Sequence, residues 1–371
     1  MAQTEFSFKA QMWKRLKKNK GAMFGLVIII LAVFVSVFGY LIAPDNSPNA
    51  DLQTVEIQAK KPGYTQKFLK TYTGENKKPN WFTAFLYGEP LNYQLIPVSG
   101  NPSDNPQADS IIINKYIDDD TSVRQAYAVH FLMQNHSSEV VPEFFITKKY
   151  WLGTDKFGRD ILSRLIIGTR VSLAVGLIAV LISLTLGILL GALAGYFRGW
   201  VDEVIMWLVN VTWSIPTLLL VFAITMAMGK GFWQIFIAVG LTMWVSVARL
   251  IRGQVMAIRE MEYVQAARAL GLRNSRIILW HILPNILGPV MVIAASNFAT
   301  AIIVEAGLSF LGIGIQPPQP SWGLMIKENY NFIITHNPLL ALIPGFAIML
   351  LVLAFNLLGN GLRDAVDVKT D

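Results

Sequence analysis

The chain has 371 residues, 53% of them apolar, a formal charge of +7, four histidines and no cysteine. An ordinary soluble domain is about 45–50% apolar, and here the apolar residues gather into long runs, so a purely soluble protein is excluded. The missing cysteines exclude a disulfide framework, thiolate catalysis and a Cys-ligated metal, and the basic excess beside apolar runs fits membrane topology better than nucleic-acid binding.

Residues 1–21 are basic, with Lys9, Lys14, Arg15, Lys17, Lys18 and Lys20. The apolar run from Ala22 to Ala43 has the roughly 20 residues needed to cross a bilayer. It exceeds the ~7–15 residues of a signal-peptide core, so it is expected to stay as a first transmembrane helix, 22–44, with the N-terminus in the cytoplasm. Residues 45–150 turn polar, rich in Pro, Asn, Gly and Tyr, and read as an extracytoplasmic insertion of α+β or irregular structure. Strand-like runs occur at Ser110–Ile113 and at Ala126–Leu132. The acidic run Asp118-Asp119-Asp120 is either a solvated turn or a cation site, and the scattered His130, His136, His281 and His336 offer no metal-ligand spacing.

Residues 151–371 hold the rest of the spans. Asp160 to Arg170 is expected to be helical and to lead into a second span, Val171 to Phe197. There Gly187, Gly191 and Gly195 recur every four residues, which leaves a smooth face for close helix packing in lipid; glycine is also simply common in membrane helices. A third span is expected over Val204–Met228 with a kink at Pro216, then a turn at Gly229-Lys230-Gly231. A fourth covers Phe232–Leu250, a fifth Ile286–Gly312 and a sixth Pro338–Leu358. The loop Gln316–Gly323 falls outside, and the tail with Arg363 and Lys369 inside. The expected fold class is an all-α polytopic membrane protein of six transmembrane helices, with both ends in the cytoplasm.

Between spans four and five, residues 251–284 carry Arg252, Arg259, Arg268, Arg273 and Arg276, which places them on the cytoplasmic side. Glu262 to Leu270 is a good helix former, and Gly271 stands where such a helix would stop. Asn274 or Ser275 is positioned to cap a second short helix, and Pro284 to limit it. A basic amphipathic helix lying on anionic lipid is one reading. The set spacing suits better a rigid two-helix knob seated in a partner's groove. Ala266 and Ala267 would permit close approach, Gly271 would set the angle, and Pro284 would mark the return to the membrane.

Catalytic signatures are lacking. There is no glycine-rich phosphate loop with its Lys-Ser or Lys-Thr, and no His-Glu-x-x-His pair. No Ser, His and acid set can be assigned to one place. Glu305 is the clearest ionisable residue inside a span and hence a functional candidate, unless it is protonated or wetted near the helix end.

Ala266-Ala267, Gly271 and Leu283-Pro284 together resemble the coupling-loop signature of bacterial ATP-binding-cassette importer permeases. Gly153-Thr154-Asp155-Lys156-Phe157-Gly158-Arg159-Asp160, Tyr263 to Gly271, His281-Ile282-Leu283-Pro284-Asn285 and Pro317 to Gly323 are similar to the dipeptide/oligopeptide/nickel branch, in its C-type permease. Gln265 stands where the general signature has Glu, His281 stands at an apolar position, and the insertion is longer than usual for the family.

The resemblance implies a type I importer permease in a bacterial inner membrane, paired as a heterodimer with a second homologous permease. An extracytoplasmic solute-binding protein would deliver the cargo. Two separate ATPase subunits, which bind the ATP and Mg, would grip a loop built on Glu262, Tyr263, Gln265, Ala266, Ala267, Arg268, Gly271, His281, Leu283 and Pro284. It implies no cofactor and no catalysis in this chain, membrane lipid as its surroundings, and no nucleic acid. Peptide is the expected cargo, with nickel or another small solute as the alternative. An ion-coupled secondary transporter, and a membrane enzyme or receptor acting through residues 45–150, are the readings from other classes. On their side of the membrane and their aromatic content, residues 45–150 are expected to touch the binding protein or the partner permease.

Overall fold

The computed structural model describes residues 2–72, 79–100, 110–128, 132, 144–229, 231–334 and 337–366, with side chains from residue 10 onward. His130, His136, Lys230, His336 and Lys369 lie outside the described residues, as does most of the run after Ala128. Two compact units are present. One comprises Met1–Val33, Val171–Gln316 and Phe346–Asp371; the other comprises Phe34–Arg170 and Pro317–Gly345.

In chain order the helices are α1 (Ala2–Lys18), α2 (Lys20–Ile42), α3 (Trp81–Tyr87), α4 (Ile161–Phe197), α5 (Gly199–Trp213), α6 (Thr217–Met228), α7 (Phe232–Arg259), α8 (Glu262–Ala269), α9 (Asn274–Leu311), α10 (Trp322–Asn329) and α11 (Leu339–Val366). Among the described residues, five are long and apolar enough to cross a membrane. The count becomes six when α5 and α6 are taken as one bent span. The fold is thus the expected polytopic helical one.

The third span departs from expectation. Its single kink is in fact a 93° bend between two helices. Pro216 has no N–H to continue the hydrogen-bond ladder and disfavours helical backbone at Ile215, so the chain turns at Ser214 and restarts at Thr217.

The first unit is built on apolar helix contacts. Val175, Ala179, Phe236, Val239, Ala301 and Leu308 are among the buried residues that join α4, α7 and α9. At the N-terminal end, Asn19 breaks α1 from α2. Its side chain accepts a hydrogen bond from the N–H of Ala22 (3.0 Å), which satisfies one of the open donors of the new helix. Leu16 and Ala22 then pack on Ala365 of α11.

The insertion in the second unit is an antiparallel sheet of β1 (Tyr64–Tyr72), β2 (Tyr93–Val98), β3 (Ser110–Tyr116), β4 (Ser122–Ala128) and β5 (Phe145–Tyr150). The strand order is β4-β3-β2-β1-β5. Successive side chains of a strand point to opposite faces, and in β1 both faces are covered. Phe68 packs with Ile57, Leu95, Tyr116 and Tyr150, while Leu69 packs with Val98, Ile113 and Leu132. The run Ser110–Ile113 falls in β3, and Ala126–Ala128 closes β4. Asp118–Asp120 form the turn between those strands. Asp119 Oδ1 there accepts from Lys60 Nζ (2.6 Å) and Tyr116 Oη (2.6 Å), so its carboxyl is held below the ordinary range by the hydrogen bonds from Lys60 and Tyr116.

Candidate functional site

Residues 261–286, which join α7 to the long apolar part of α9, form a closed elbow. Its first arm, α8, follows α7 directly. Gln265 Nε2 donates back to the carbonyl of Glu260 (3.0 Å) and helps finish the preceding helix. The arm ends in a Schellman closure. The N–H of Gly271 reaches the carbonyl of Arg268 (3.0 Å) and the N–H of Leu272 reaches that of Ala267 (3.2 Å). Gly271 makes this possible with φ of +75°, a region that L side chains rarely adopt. Val264 and Ala267, three residues apart on one helix face, are buried with Ile277 against Tyr196, Ile251 and Val255, and the partly buried Leu272 packs on them. The elbow therefore shares one apolar core with α4, α7 and α9.

Two polar links brace the arms. Tyr196 Oη donates to Asn274 Oδ1 (2.8 Å). Asn285 Nδ2 donates to Tyr263 Oη (3.1 Å) and to the carbonyl of His281 (2.7 Å). Partial burial raises the Tyr263 phenol above its usual range, so it stays neutral at physiological pH. At the base, Arg252 clamps Asp202 with two hydrogen bonds of 2.5 Å.

The second arm corrects two expectations. Neither Asn274 nor Ser275 caps it through its side chain, because Arg273 is the N-cap residue and the Asn274 amide oxygen is engaged by Tyr196. Pro284 does not end it either. A π turn over Ile278–Ile282 and a 3-10 turn over Leu283–Ile286 absorb the proline's missing N–H and its ring, and the helical path runs on to Leu311. His281 and Leu283 are half-buried on this irregular turn, and Pro284 is exposed.

The Ala266-Ala267 pair splits. Ala267 is buried in the elbow's own core, and Ala266 faces outward. The outward surface also carries Glu262, Tyr263, Arg268, Arg273 and Arg276, and at the tip Leu270, 82% exposed. Leu270, Leu279 and Trp280 are exposed apolar residues outside the motif positions. Their sequence signal is an apolar residue just before the stopping glycine and an apolar pair shortly after Arg273 and Arg276.

Gly187, Gly191 and Gly195 all face α7. An added Cβ at Gly187 would strike Val247; at Gly191 it would come within 2.5 Å of the carbonyl of Ala248, and at Gly195 within 2.7 Å of that of Arg252. The three glycines therefore seat α4 directly against the helix that bears the elbow. Glu305 is fully buried in α9. It accepts from Ser309 Oγ (2.6 Å), which in turn accepts from the N–H of Ile315 (3.0 Å). That chain ties off the end of α9, and in Glu305→Gln the amide oxygen can still accept from Ser309, so transport is expected to stay within about twofold of the parent in an uptake assay. Loss of proton coupling in that variant would instead support an ion-coupled carrier.

In the second unit, two motifs far apart in the chain meet. Asp155 Oδ1 accepts from the N–H groups of Phe157 (2.9 Å) and Arg159 (3.0 Å), shaping the loop 153–160. The buried Arg159 donates to Asp155 Oδ2 (2.6 Å), Asp51 Oδ1 (3.0 Å) and Glu328 Oε2 (2.6 Å). Arg164, also fully buried, lies 3.4 Å from Glu328. Burial alone would lower the basicity of Arg159; Asp155 and Glu328 outweigh it and hold the guanidinium above its usual value. Trp322 Nε1 donates to the carbonyl of Leu165 (3.0 Å), seating the loop 317–323 on the same base.

The chain is similar in sequence to known proteins. The family model for the binding-protein-dependent transport system inner membrane component matches residues 187–371, and that for the N-terminal TM domain of oligopeptide transport permease C matches residues 7–59. The chain is similar to the dipeptide transport system permease protein DppC of Alkalihalophilus pseudofirmus, 44% identical over 221 residues, or 60% of this chain and 72% of that protein. It is also similar to the glutathione transport system permease protein GsiD of Pectobacterium atrosepticum, 43% identical over 220 residues, or 59% of this chain and 73% of that protein. Among solved structures, an inward-facing form of the MetNI methionine ABC transporter superposes with a TM-score of 0.46 at 19% identity, covering 55% of this chain and 96% of that chain.

Proposed function

We propose a role that starts from one fact: the chain belongs to the family of binding-protein-dependent transport system inner membrane components. It is the permease subunit of an ATP-driven importer in the inner membrane. The observation that carries the mechanism is the elbow: an exposed apolar tip, Leu270, mounted on a base that shares its core with three long helices. A surface built this way is suited to a partner's pocket, where an apolar anchor is fully desolvated.

In this reading two ATPase subunits supply the ATP and Mg chemistry. One of them holds this elbow and the other holds its counterpart on a second, homologous permease. Closure of the ATPase pair moves Leu270 and Tyr263. The shared core of Val264, Ala267, Ile251 and Ile286 passes that displacement to α7 and α9 as bodies rather than as a local flexing. Both termini and the elbow lie in the cytoplasm, in keeping with the arginines around it. A solute-binding protein delivers cargo at the opposite face. Short peptides are the proposed cargo, supported by the dipeptide and glutathione systems to which the relatives' names refer.

Leu270→Arg tests the docking role. The position is exposed, so the fold should change by less than about 0.5 kcal/mol. Loss of a central anchor costs about 2 kcal/mol or more of docking, roughly 30-fold. ATP-dependent peptide uptake is expected to fall by more than about tenfold with the amount of chain in the membrane unchanged. Unaltered uptake would count against the elbow as the docking element.

A further inference from the structure

The insertion carries a short helix, α3, with the sequence Trp-Phe-Thr-Ala-Phe-Leu-Tyr and no charged residue. None of its residues is fully buried. Trp81 is 70% exposed, Phe82 59% and Tyr87 67%. Aromatic side chains carry large apolar surface and rarely stay open to water in such number on a helix of two turns.

The contacts of α3 fix its depth. Phe85 meets Phe38 of α2 edge-on, with ring centroids 6.1 Å apart, and Trp81 stacks on Phe85 at 5.7 Å. One guanidinium, that of Arg170, donates to the carbonyls of Ser36 (3.0 Å) and Val37 (3.2 Å) in α2 and of Leu86 (2.6 Å) in α3. The last turn of α3 is thereby tied to the last two turns of α2. Phe38 lies four residues before the end of α2, about 6 Å along the axis. The same stretch of α2 exposes Phe34, Val37, Leu41 and Ile42, a surface that suits acyl chains. The end of a span is where a bilayer passes from hydrocarbon to headgroups.

We propose that α3 is a membrane-interface anchor, with Trp81, Phe82 and Tyr87 seated in the glycerophospholipid leaflet at the end of the first span remote from α1. Rings with an apolar body and a polar edge are most stable at that boundary. The anchor pins one corner of the insertion to the bilayer, so the sheet stands on a fixed footing beside α2. It holds whatever the cargo and whatever seats on the elbow.

The chain has no cysteine, so a single introduced one carries a unique nitroxide label. Phe82→Cys in the full chain, reconstituted in phosphatidylethanolamine–phosphatidylglycerol vesicles, should collide with oxygen more than with a water-soluble nickel chelate. The ratio should be several-fold above that at Arg124→Cys, an exposed charged position on β4. A ratio equal to that at Arg124 would place α3 in water and overturn the proposal. Shielding from both reagents would mean a protein covers the helix, a partner permease or a second copy, and would overturn it equally. Tyr87→Cys gives the same reading from the other end of α3 should Phe82→Cys not accumulate.

Discussion

Replacing Gly271 with proline is expected to abolish ATP-dependent uptake while the chain still reaches the membrane. Gly271 sits at φ of +75°, and proline is locked near −65°. The substitution also removes the N–H that closes α8 on the carbonyl of Arg268, and it displaces the Leu272 N–H from that of Ala267. Without the closure, Ala267 and Leu272 cannot both stay in the core with Val255 and Ile277, and Leu270 loses its mount. The spans do not depend on this turn, so insertion should survive. Gly271→Ala is the graded control: an L residue in the left-handed region costs about 1–2 kcal/mol, and nothing lies within 4 Å of the added carbon. Uptake should be reduced but measurable. Normal uptake by the proline variant would show that the elbow need not be closed.

Arg159→Ala should produce the largest loss of stability. It removes three hydrogen bonds at once and leaves Asp51, Asp155 and Glu328 facing Arg164 alone. Two cations against three carboxylates become one against three in a site with little water. Breaking a buried ion pair on one side costs about 3–5 kcal/mol, a large part of the ~5–15 kcal/mol that holds a typical fold. The variant should fail to accumulate, or should unfold far below the parent in a thermal scan of the purified protein. Arg159→Lys should rescue only in part, because a single ammonium cannot reach three carboxylates in the planar fork geometry of a guanidinium. A parent-like melting temperature in the alanine variant would show the cluster to be dispensable.

The parts legible in the sequence are those encoded by neighbours in the chain. Gly271 after an alanine-rich run carries its own stop signal, and the four-residue period of Gly187, Gly191 and Gly195 marks a common helix face. Pro284 misleads because the local rule ends a helix at proline, whereas here a π turn and a 3-10 turn take up the defect within a helix held by α7 and α4. Ala266 and Ala267 are indistinguishable by chemistry, and only the position of the core says that Ala267 turns inward. The bond from Arg159 to Glu328 spans 169 residues, and no local pattern encodes a pairing at that distance. The sheet order in the insertion is hidden for the same reason. Even so, the motif 153–160, recognised as a motif, proves to be where the long-range charges meet.

Coupling through the elbow requires Leu270 to touch an ATPase subunit. Leu270→Cys, in a chain with no other cysteine, can be labelled with a short photo-crosslinker in native membranes. A cross-linked product carrying an ATP-binding-cassette subunit, with a yield that changes when ATP is added, is the predicted result. A label that captures only lipid, or nothing, with that subunit present and the importer active, would contradict it.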